Sequence, residues 1–238
     1  MRYAIIAAGE GSRLYSEGIH SPKPLVEVNG EKLIDRLIRV FMMNDASEIV
    51  VICNEKMASV GNHLAYLKQL GQVSVRFIVK STPSSMHSLW ELHQWLEGDP
   101  FVLTTVDTVF REQEFTAYVQ AFRSQVANGA IDGLMGVTDF IDDEKPLYVQ
   151  TDDQLAITGF YDTSDEAKYI SGGIYGLTSR SLKTLEQCVN RGESRMRNFQ
   201  RALIQDGLKL KAWPFSKVLD IDHAEDIQKA ELFLKEVR

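Results

Sequence analysis

The chain has 238 residues, 44% of them hydrophobic and 25% charged, and its 26 Lys and Arg against 33 Asp and Glu give a formal net charge of −7. This composition excludes a disordered or fibrous chain, and the length suits one large domain or two small ones. The acidic balance argues against sequence-independent nucleic-acid binding, which needs many Lys and Arg to neutralise phosphates, so an anionic substrate must meet a local basic site.

Residues 3–8 form an apolar run that does not alternate, which predicts a strand buried on both faces. The run stops at Gly9, too short for the apolar region of a signal peptide or for a membrane span, and the expectation is a cytoplasmic protein with no membrane partner. Over 31–44, Leu33, Ile34, Leu37, Ile38 and Phe41 share one stripe, the spacing of a core-facing helix. A strand at 48–53, a helix at 57–70, a strand at 73–79, a helix at 86–96 and a strand at 101–106 continue the series. Such alternation implies a parallel sheet with helices on both faces. After Asp107 the rhythm changes. A helix at 111–126 is followed by short β-like runs at 134–137, 147–150, 155–161 and 169–177, an antiparallel extension of the same sheet. Helices at 181–190 and 195–205, a strand at 209–213 and a closing helix from His223 complete the chain. No Gly/Pro/Ser-rich linker or internal repeat divides it, so a single domain over 1–238 is expected. Cys53 lies in an apolar run and reads as a small core residue; with Cys188 the only other cysteine, a disulfide framework is not expected.

In an open parallel sheet, ligands bind beyond the carboxyl ends of the strands. The first strand ends in Ala7-Ala8-Gly9-Glu10-Gly11-Ser12-Arg13-Leu14. Glycines two apart let backbone N–H groups approach a polyphosphate, and Arg13 adds a charge and a planar donor fork. The dinucleotide fingerprint G-x-G-x-x-G fails because its third glycine falls on Leu14, and the P-loop pattern fails outright. About ten residues on, Ser21-Pro22-Lys23-Pro24-Leu25 presents Lys23 from a loop stiffened by two prolines.

Together, Gly9-Glu10-Gly11-Ser12-Arg13-Leu14 and Pro22-Lys23-Pro24-Leu25 resemble the signature of the nucleotidyltransferases that make nucleotide sugars and related activated alcohols, a group that includes molybdopterin guanylyltransferases. The resemblance implies a Rossmann-like three-layer α/β/α fold: a mostly parallel mixed sheet with an antiparallel β extension, the nucleotide-diphospho-sugar transferase fold. It divides the domain into a nucleotide-binding half, 1–110, and an acceptor-binding half, 111–238. Three later landmarks extend it. Ser84-Ser85-Met86-His87-Ser88-Leu89 resembles the segment that opens a helix beside the base and ribose, in a version most similar to phosphocholine cytidylyltransferases, with Ser85 or Ser88 toward the nucleotide. Phe101-Val102-Leu103-Thr104-Thr105-Val106-Asp107 is similar to the strand that ends in the family's metal aspartate, although the family usually has glycine where Val106 stands. Leu219-Asp220-Ile221-Asp222-His223-Ala224 resembles the closing segment that carries a second metal acid, at Asp222 or at Asp220 depending on the register. Glu225 and Asp226 read instead as helix-capping acids.

The resemblance implies an Mg²⁺-dependent transferase in which NMP passes from an NTP to a small phosphorylated acceptor, a sugar phosphate or a phospho-alcohol such as phosphocholine, and pyrophosphate leaves. Ala8, Gly9, Gly11, Ser12, Arg13, Lys23, Ser85 and Ser88 are then the nucleotide-binding set. Arg13, Lys23 and Asp107 are catalytic, and Asp107 with Asp222 or Asp220 holds the metal. For the acceptor, Ser171-Gly172-Gly173-Ile174-Tyr175 resembles the glycine-plus-aromatic strand that lies beneath it, which nominates Gly173 and Tyr175. Lys168 and Lys145 are candidates for a second lysine, and Arg195, Arg197 and Arg201 either reach an acceptor phosphate or form a solvated helix face. The alternatives are a nucleotide-sensing domain that has lost turnover and, disfavoured by Leu14, a dehydrogenase. A homo-oligomer is left open.

Overall fold

The computed structural model describes residues 1–71, 74–142, 144–163 and 166–236. The first strand, β1 (Arg2–Ala7), leads into a short helix, α1 (Ser12–Ser16). A tight hairpin follows, β2 (Glu27–Val28) and β3 (Glu31–Lys32), and the chain then alternates α2 (Leu33–Met43), β4 (Glu48–Cys53), α3 (Ala58–Gln69), β5 (Val75–Val79), α4 (Ser85–Leu92) and β6 (Phe101–Thr105). The rest comprises β7 (Thr108–Val109), α5 (Glu112–Ala127), β8 (Gly133–Thr138), β9 (Tyr148–Thr151), β10 (Ile157–Tyr161), β11 (Tyr169–Leu177), α6 (Arg180–Asn190), α7 (Met196–Gln205), β12 (Leu210–Phe215), β13 (Leu219–Asp220) and α8 (Ala224–Lys235).

Among the described residues, nine strands make one sheet in the order β10-β9-β11-β6-β1-β4-β5, with β8 on β11 and β12 on β8. Strands β4, β1 and β6 are parallel neighbours, as are β4 and β5, whereas β11 runs antiparallel to β6, β8 and β9. This is the expected mostly parallel sheet with an antiparallel extension, and strands from both halves of the chain belong to it. Strand β1 does not alternate in hydrophobicity because both faces are covered. Tyr3, Ile5 and Ala7 enter one core with Leu37 and Phe41 of α2 and Phe115, Tyr118 and Phe122 of α5. Ala4 and Ile6 enter the other, with Met86 and Leu89 of α4, Leu185 of α6 and Phe199 of α7. Cys53 and Cys188 are buried free thiols. No described helix is long and apolar enough to cross a membrane.

Several boundaries differ from the sequence-based expectation for local reasons. The helix expected over 31–44 begins at Leu33, because Asn29 and Gly30 have φ of 52° and 78°. Two successive positive φ values at Asn-Gly form a tight hairpin, and Glu31 and Lys32 pair back onto Glu27 and Val28 instead of starting the helix. The helix expected to reach residue 96 leaves α geometry after Leu92 and tightens into a 3₁₀ turn, His93–Trp95. Strand β12 runs through Pro214 to Phe215; apart from one bridge from Lys211 to Ala156, its partner among the described strands is β8, so the missing proline N–H faces no neighbouring described strand. Val73, where the third expected strand begins, lies outside the described residues.

The connections set the location of the site. From β1 the chain passes through α2 to β4 on one side, then returns through α4 to β6 on the other side of β1. The reversal leaves a crevice at the carboxyl end of β1.

Candidate active site

Asn54, just beyond β4, ties three strand ends together. Its side-chain amide donates to the Ala8 carbonyl (2.9 Å) and its Oδ1 accepts from the Lys56 N–H and the Ser81 hydroxyl, both at 2.9 Å. At 2% exposure it is a buried polar group whose amide bond to Ala8 holds the turn after β1 against the ends of β4 and β5. Sequence reasoning missed it, although the strand-end rule applied to β4 points straight at it. Gly9 and Ser12 lie at the surface of that turn. Gly11 has φ +62°, and a Cβ there would stand 3.3 Å from Lys23 Cβ, so glycine both permits the turn and leaves space for the lysine.

Lys23 opens a 3₁₀ turn, Lys23–Leu25, between Pro22 and Pro24 and is only 9% exposed. Its ammonium donates to Asp107 Oδ2 at 2.6 Å and to Asp222 Oδ1 at 2.7 Å. Burial alone would push the lysine down, but the two carboxylates outweigh it and hold Lys23 above its ordinary range, protonated at neutral pH. The remaining Asp222 oxygen accepts from Arg13 Nη1 at 3.1 Å, and Arg13 Nη2 lies 3.7 Å from Glu144. Arg13 is half exposed and so faces the open side. The structure thus brings Arg13, Lys23, Asp107 and Asp222 into one continuous network.

Two local devices place the acids. Strands β7 and β13 pair antiparallel, Thr108 opposite Asp220 and Val109 opposite Leu219, and the Ile221 N–H donates to the Asp107 carbonyl at 3.1 Å. Beyond β13, Asp226 Oδ2 accepts from the backbone N–H groups of Asp222 (3.1 Å) and His223 (2.7 Å), a capping arrangement that fixes the turn carrying Asp222. Glu17 completes the clasp by accepting from His223 Nδ1 and the Ala224 N–H, both at 2.6 Å, which joins the chain after α1 to the start of α8. Asp226 was expected as a cap; Glu17 was not, because its partners are more than two hundred positions away.

A cavity of about 680 Å³ opens beside this network, walled in part by Arg13, Phe140, Ser171, Gly172, Asp220 and Asp222. Asp220, at the end of β13, and Asp222, in the turn beyond it, both line it. On its floor, β11 slips register between Ser171 and Ile174, so Gly172 and Gly173 form a bulge. Gly173 has φ +70°, and a Cβ on it would meet Thr108 Oγ1 at 3.0 Å. Gly173→Val is therefore expected to destabilise the protein by about 1–3 kcal/mol, read by chemical denaturation, because a β-branched residue is strained at that φ and crowds the residue after Asp107. Tyr175 is buried, and burial first, then the charges of Asp220 and Asp107, push its hydroxyl up to about 12, so it stays protonated.

Several of the other nominated residues contact other partners. Ser85 opens α4. Ser88 is 1% exposed and shares its hydroxyl with Thr82 at 2.6 Å. Lys168 is exposed with its ammonium 5.1 Å from the Tyr169 ring centroid. The Lys145 carbonyl accepts from Arg197, and Arg197 and Arg201 both pair with Asp162, which anchors α7 to the end of β10. Arg195 has φ +73° and donates its N–H to Ser84 Oγ, joining the start of α7 to the start of α4.

Whether the acids suit a divalent cation can be judged from their convergence. Asp107 Oδ2 and Asp222 Oδ1 meet at one cation-sized point, now held by an ammonium. Among the described residues no group of three or more His, Cys, Asp or Glu side chains could hold a metal ion. Two carboxylate oxygens beside an open cavity fit Mg²⁺, which is commonly held by one or two carboxylates together with substrate phosphates and water.

Comparison with known proteins agrees with the fold and the family resemblance. Over 109 residues, 45% of this chain, the sequence is 27% identical to the glucose-1-phosphate cytidylyltransferase of Salmonella typhimurium, and the match spans 39% of that protein's length. The inositol-1-phosphate CTP transferase of T. maritima superposes with a TM-score of 0.79 at 20% identity, over 99% of this chain and 96% of that one. The CTP:phosphocholine cytidylyltransferase of Streptococcus pneumoniae superposes with a TM-score of 0.74 at 19% identity, over 98% and 99%. At such identities these likenesses establish the fold. The family described as nucleotidyl transferase matches residues 3–237, nearly the whole chain, and the protein belongs to it.

Proposed function

We propose that the protein transfers a nucleoside monophosphate from an NTP to a small phosphorylated acceptor and releases pyrophosphate, with the first half of the chain holding the nucleotide and the second half the acceptor. The observation that carries this reading is the Lys23 ammonium bridging Asp107 and Asp222 at 2.6 and 2.7 Å, beside Arg13, at the carboxyl end of β1. A phosphate monoester has its second pKa near about 6, so the acceptor arrives largely ionised and needs no general base. The work left to the protein is to bring two anions together and cancel their charge. Backbone N–H groups of the turn from Gly9 to Ser12 and the fork of Arg13 receive the β- and γ-phosphates. Lys23 screens the α-phosphate against the incoming oxygen. Asp107 and Asp222 would hold Mg²⁺, which supplies charge neutralisation at the α-phosphate when bound.

The cavity supports a choice of acceptor. Its wall carries Asp142, Glu144, Asp220 and Glu225 in addition to Asp222, while Arg13 is already paired with Asp222, and Lys229 with Asp142, Glu225 and Asp226. An acid-rich wall favours an acceptor with a cationic group beyond its phosphate, a phospho-amino-alcohol of the phosphocholine kind, over a neutral sugar phosphate. Pyrophosphate release measured with each of the common NTPs, crossed with phosphocholine and glucose 1-phosphate in Mg²⁺, tests both levels. The expected result is turnover with a kcat/KM at least tenfold higher for phosphocholine. The opposite order assigns the cavity to sugar phosphates, and nucleotide binding without turnover on any acceptor overturns the transferase reading in favour of a nucleotide-sensing domain.

A further inference from the structure

The Lys23 contact is more enclosed than substrate binding alone requires. A lysine kept only to meet a triphosphate could point into the open crevice, yet its ammonium is buried between the two acids assigned to the metal. We propose that Lys23 is the occupant of the cation position between Asp107 and Asp222 until the triphosphate arrives, so that divalent metal and lysine exchange places when nucleotide binds. This rests on the assignment of Asp107 and Asp222 to the metal.

The geometry makes the two cations mutually exclusive. The ammonium takes one oxygen of each acid at hydrogen-bond distance, and a magnesium ion held between the same two acids at about 2.0–2.1 Å would compete with it for that point. The second Asp222 oxygen is engaged by Arg13, so Asp222 cannot turn a free oxygen to the metal without breaking another ion pair. Lys23 can leave without disturbing the backbone. Its Cβ is packed against Gly11 and its turn is bounded by Pro22 and Pro24, but the stem is flexible and only the ammonium has to move. Asp107 and Asp222 are the two anions its ammonium meets at hydrogen-bond distance. A metal entering alone would take both of these partners from a nearly buried ammonium, which is costly. The triphosphate changes this, since its oxygens serve as ligands for the metal and as the new partner of the displaced lysine. Metal and nucleotide are thereby coupled, each making the binding of the other easier.

The test uses Mn²⁺ alone as probe, with free ion counted by electron paramagnetic resonance and no nucleotide present. Lys23→Met removes the resident cation and is expected to bind Mn²⁺ at least tenfold more tightly than the unaltered protein. Lys23→Arg keeps a cation between the acids and is expected to bind it no more tightly. Equal or weaker binding by Lys23→Met overturns the exchange while leaving the metal assignment intact, and no binding by either the unaltered protein or the Met variant overturns both. Should Lys23→Met fail to fold by circular dichroism, tighter Mn²⁺ binding by Lys23→Arg is the overturning result.

Discussion

Lys23→Met is expected to lower kcat for pyrophosphate release by about 10²–10³-fold, the scale of losing one preorganised charge contact at a developing transition state, about 2.7–4 kcal/mol. The physical reason is that the reaction joins two anions, so screening at the α-phosphorus matters most when the oxygen is closest to it. KM for the nucleotide is expected to change much less than kcat, since the substitution leaves Arg13 and the glycine-rich turn, to which we assign the outer phosphates, in place. The fold is expected to persist. Asp222 retains Arg13 as a partner at 3.1 Å, and β7 stays paired with β13 through backbone bonds that the substitution does not touch. Steady-state kinetics together with far-ultraviolet circular dichroism measure both outcomes. A large loss of nucleotide affinity with kcat preserved would make Lys23 a binding residue only.

Asp107→Asn is expected to abolish measurable turnover, again with the fold intact. Asparagine has nearly the same shape, so the bond from the Ile221 N–H to the carbonyl of residue 107 survives, and Lys23 keeps Asp222 at 2.7 Å. What disappears is one of two anionic oxygens at the cation position, and an amide oxygen is a much poorer Mg²⁺ ligand than a carboxylate. Raising Mg²⁺ should recover part of the rate if the loss is one of metal affinity. Full activity in this variant at ordinary Mg²⁺ would remove Asp107 from the metal site.

Much of the layer structure was readable from residue order because its cause is local. The non-alternating runs at the first, second and fourth strands reflect burial on two faces, and the stripe Leu33, Leu37, Phe41 reflects a helix with one covered face. The change of rhythm after Asp107 corresponds to the antiparallel β11, which pairs on one edge with β6 and on the other with β8. The hairpin at Asn29-Gly30 was readable but overlooked, since the helical stripe just beyond it masked two residues of strand. The pairing of β7 with β13 was not readable. Each strand has two residues, too few for any periodicity, yet this pairing is what carries Asp107 toward Asp222.

The candidate site divides the same way. Arg13, Lys23 and Asp107 stand in motifs whose spacing is distinctive, and the folded chain gathers them although Lys23 and Asp222 are 199 positions apart. Between Asp220 and Asp222 the order of residues could not decide, because alternation sends both to one face. The bonds from Asp226 to the backbone of Asp222 and His223 set the turn from which Asp222 reaches Lys23 and Arg13. Asn54 and Glu17 act through backbone groups of distant segments and carry no motif of their own.

The most direct measurement is a crystal structure with Mn²⁺ and an unreactive NTP analogue, with the ion placed by its anomalous signal. The expected peak is ligated by carboxylate oxygens of Asp107 and Asp222, with Lys23 turned to the α-phosphate and Arg13 on the outer phosphates. An ion held away from these two acids, or a triphosphate bound with Lys23 still between them, would contradict it.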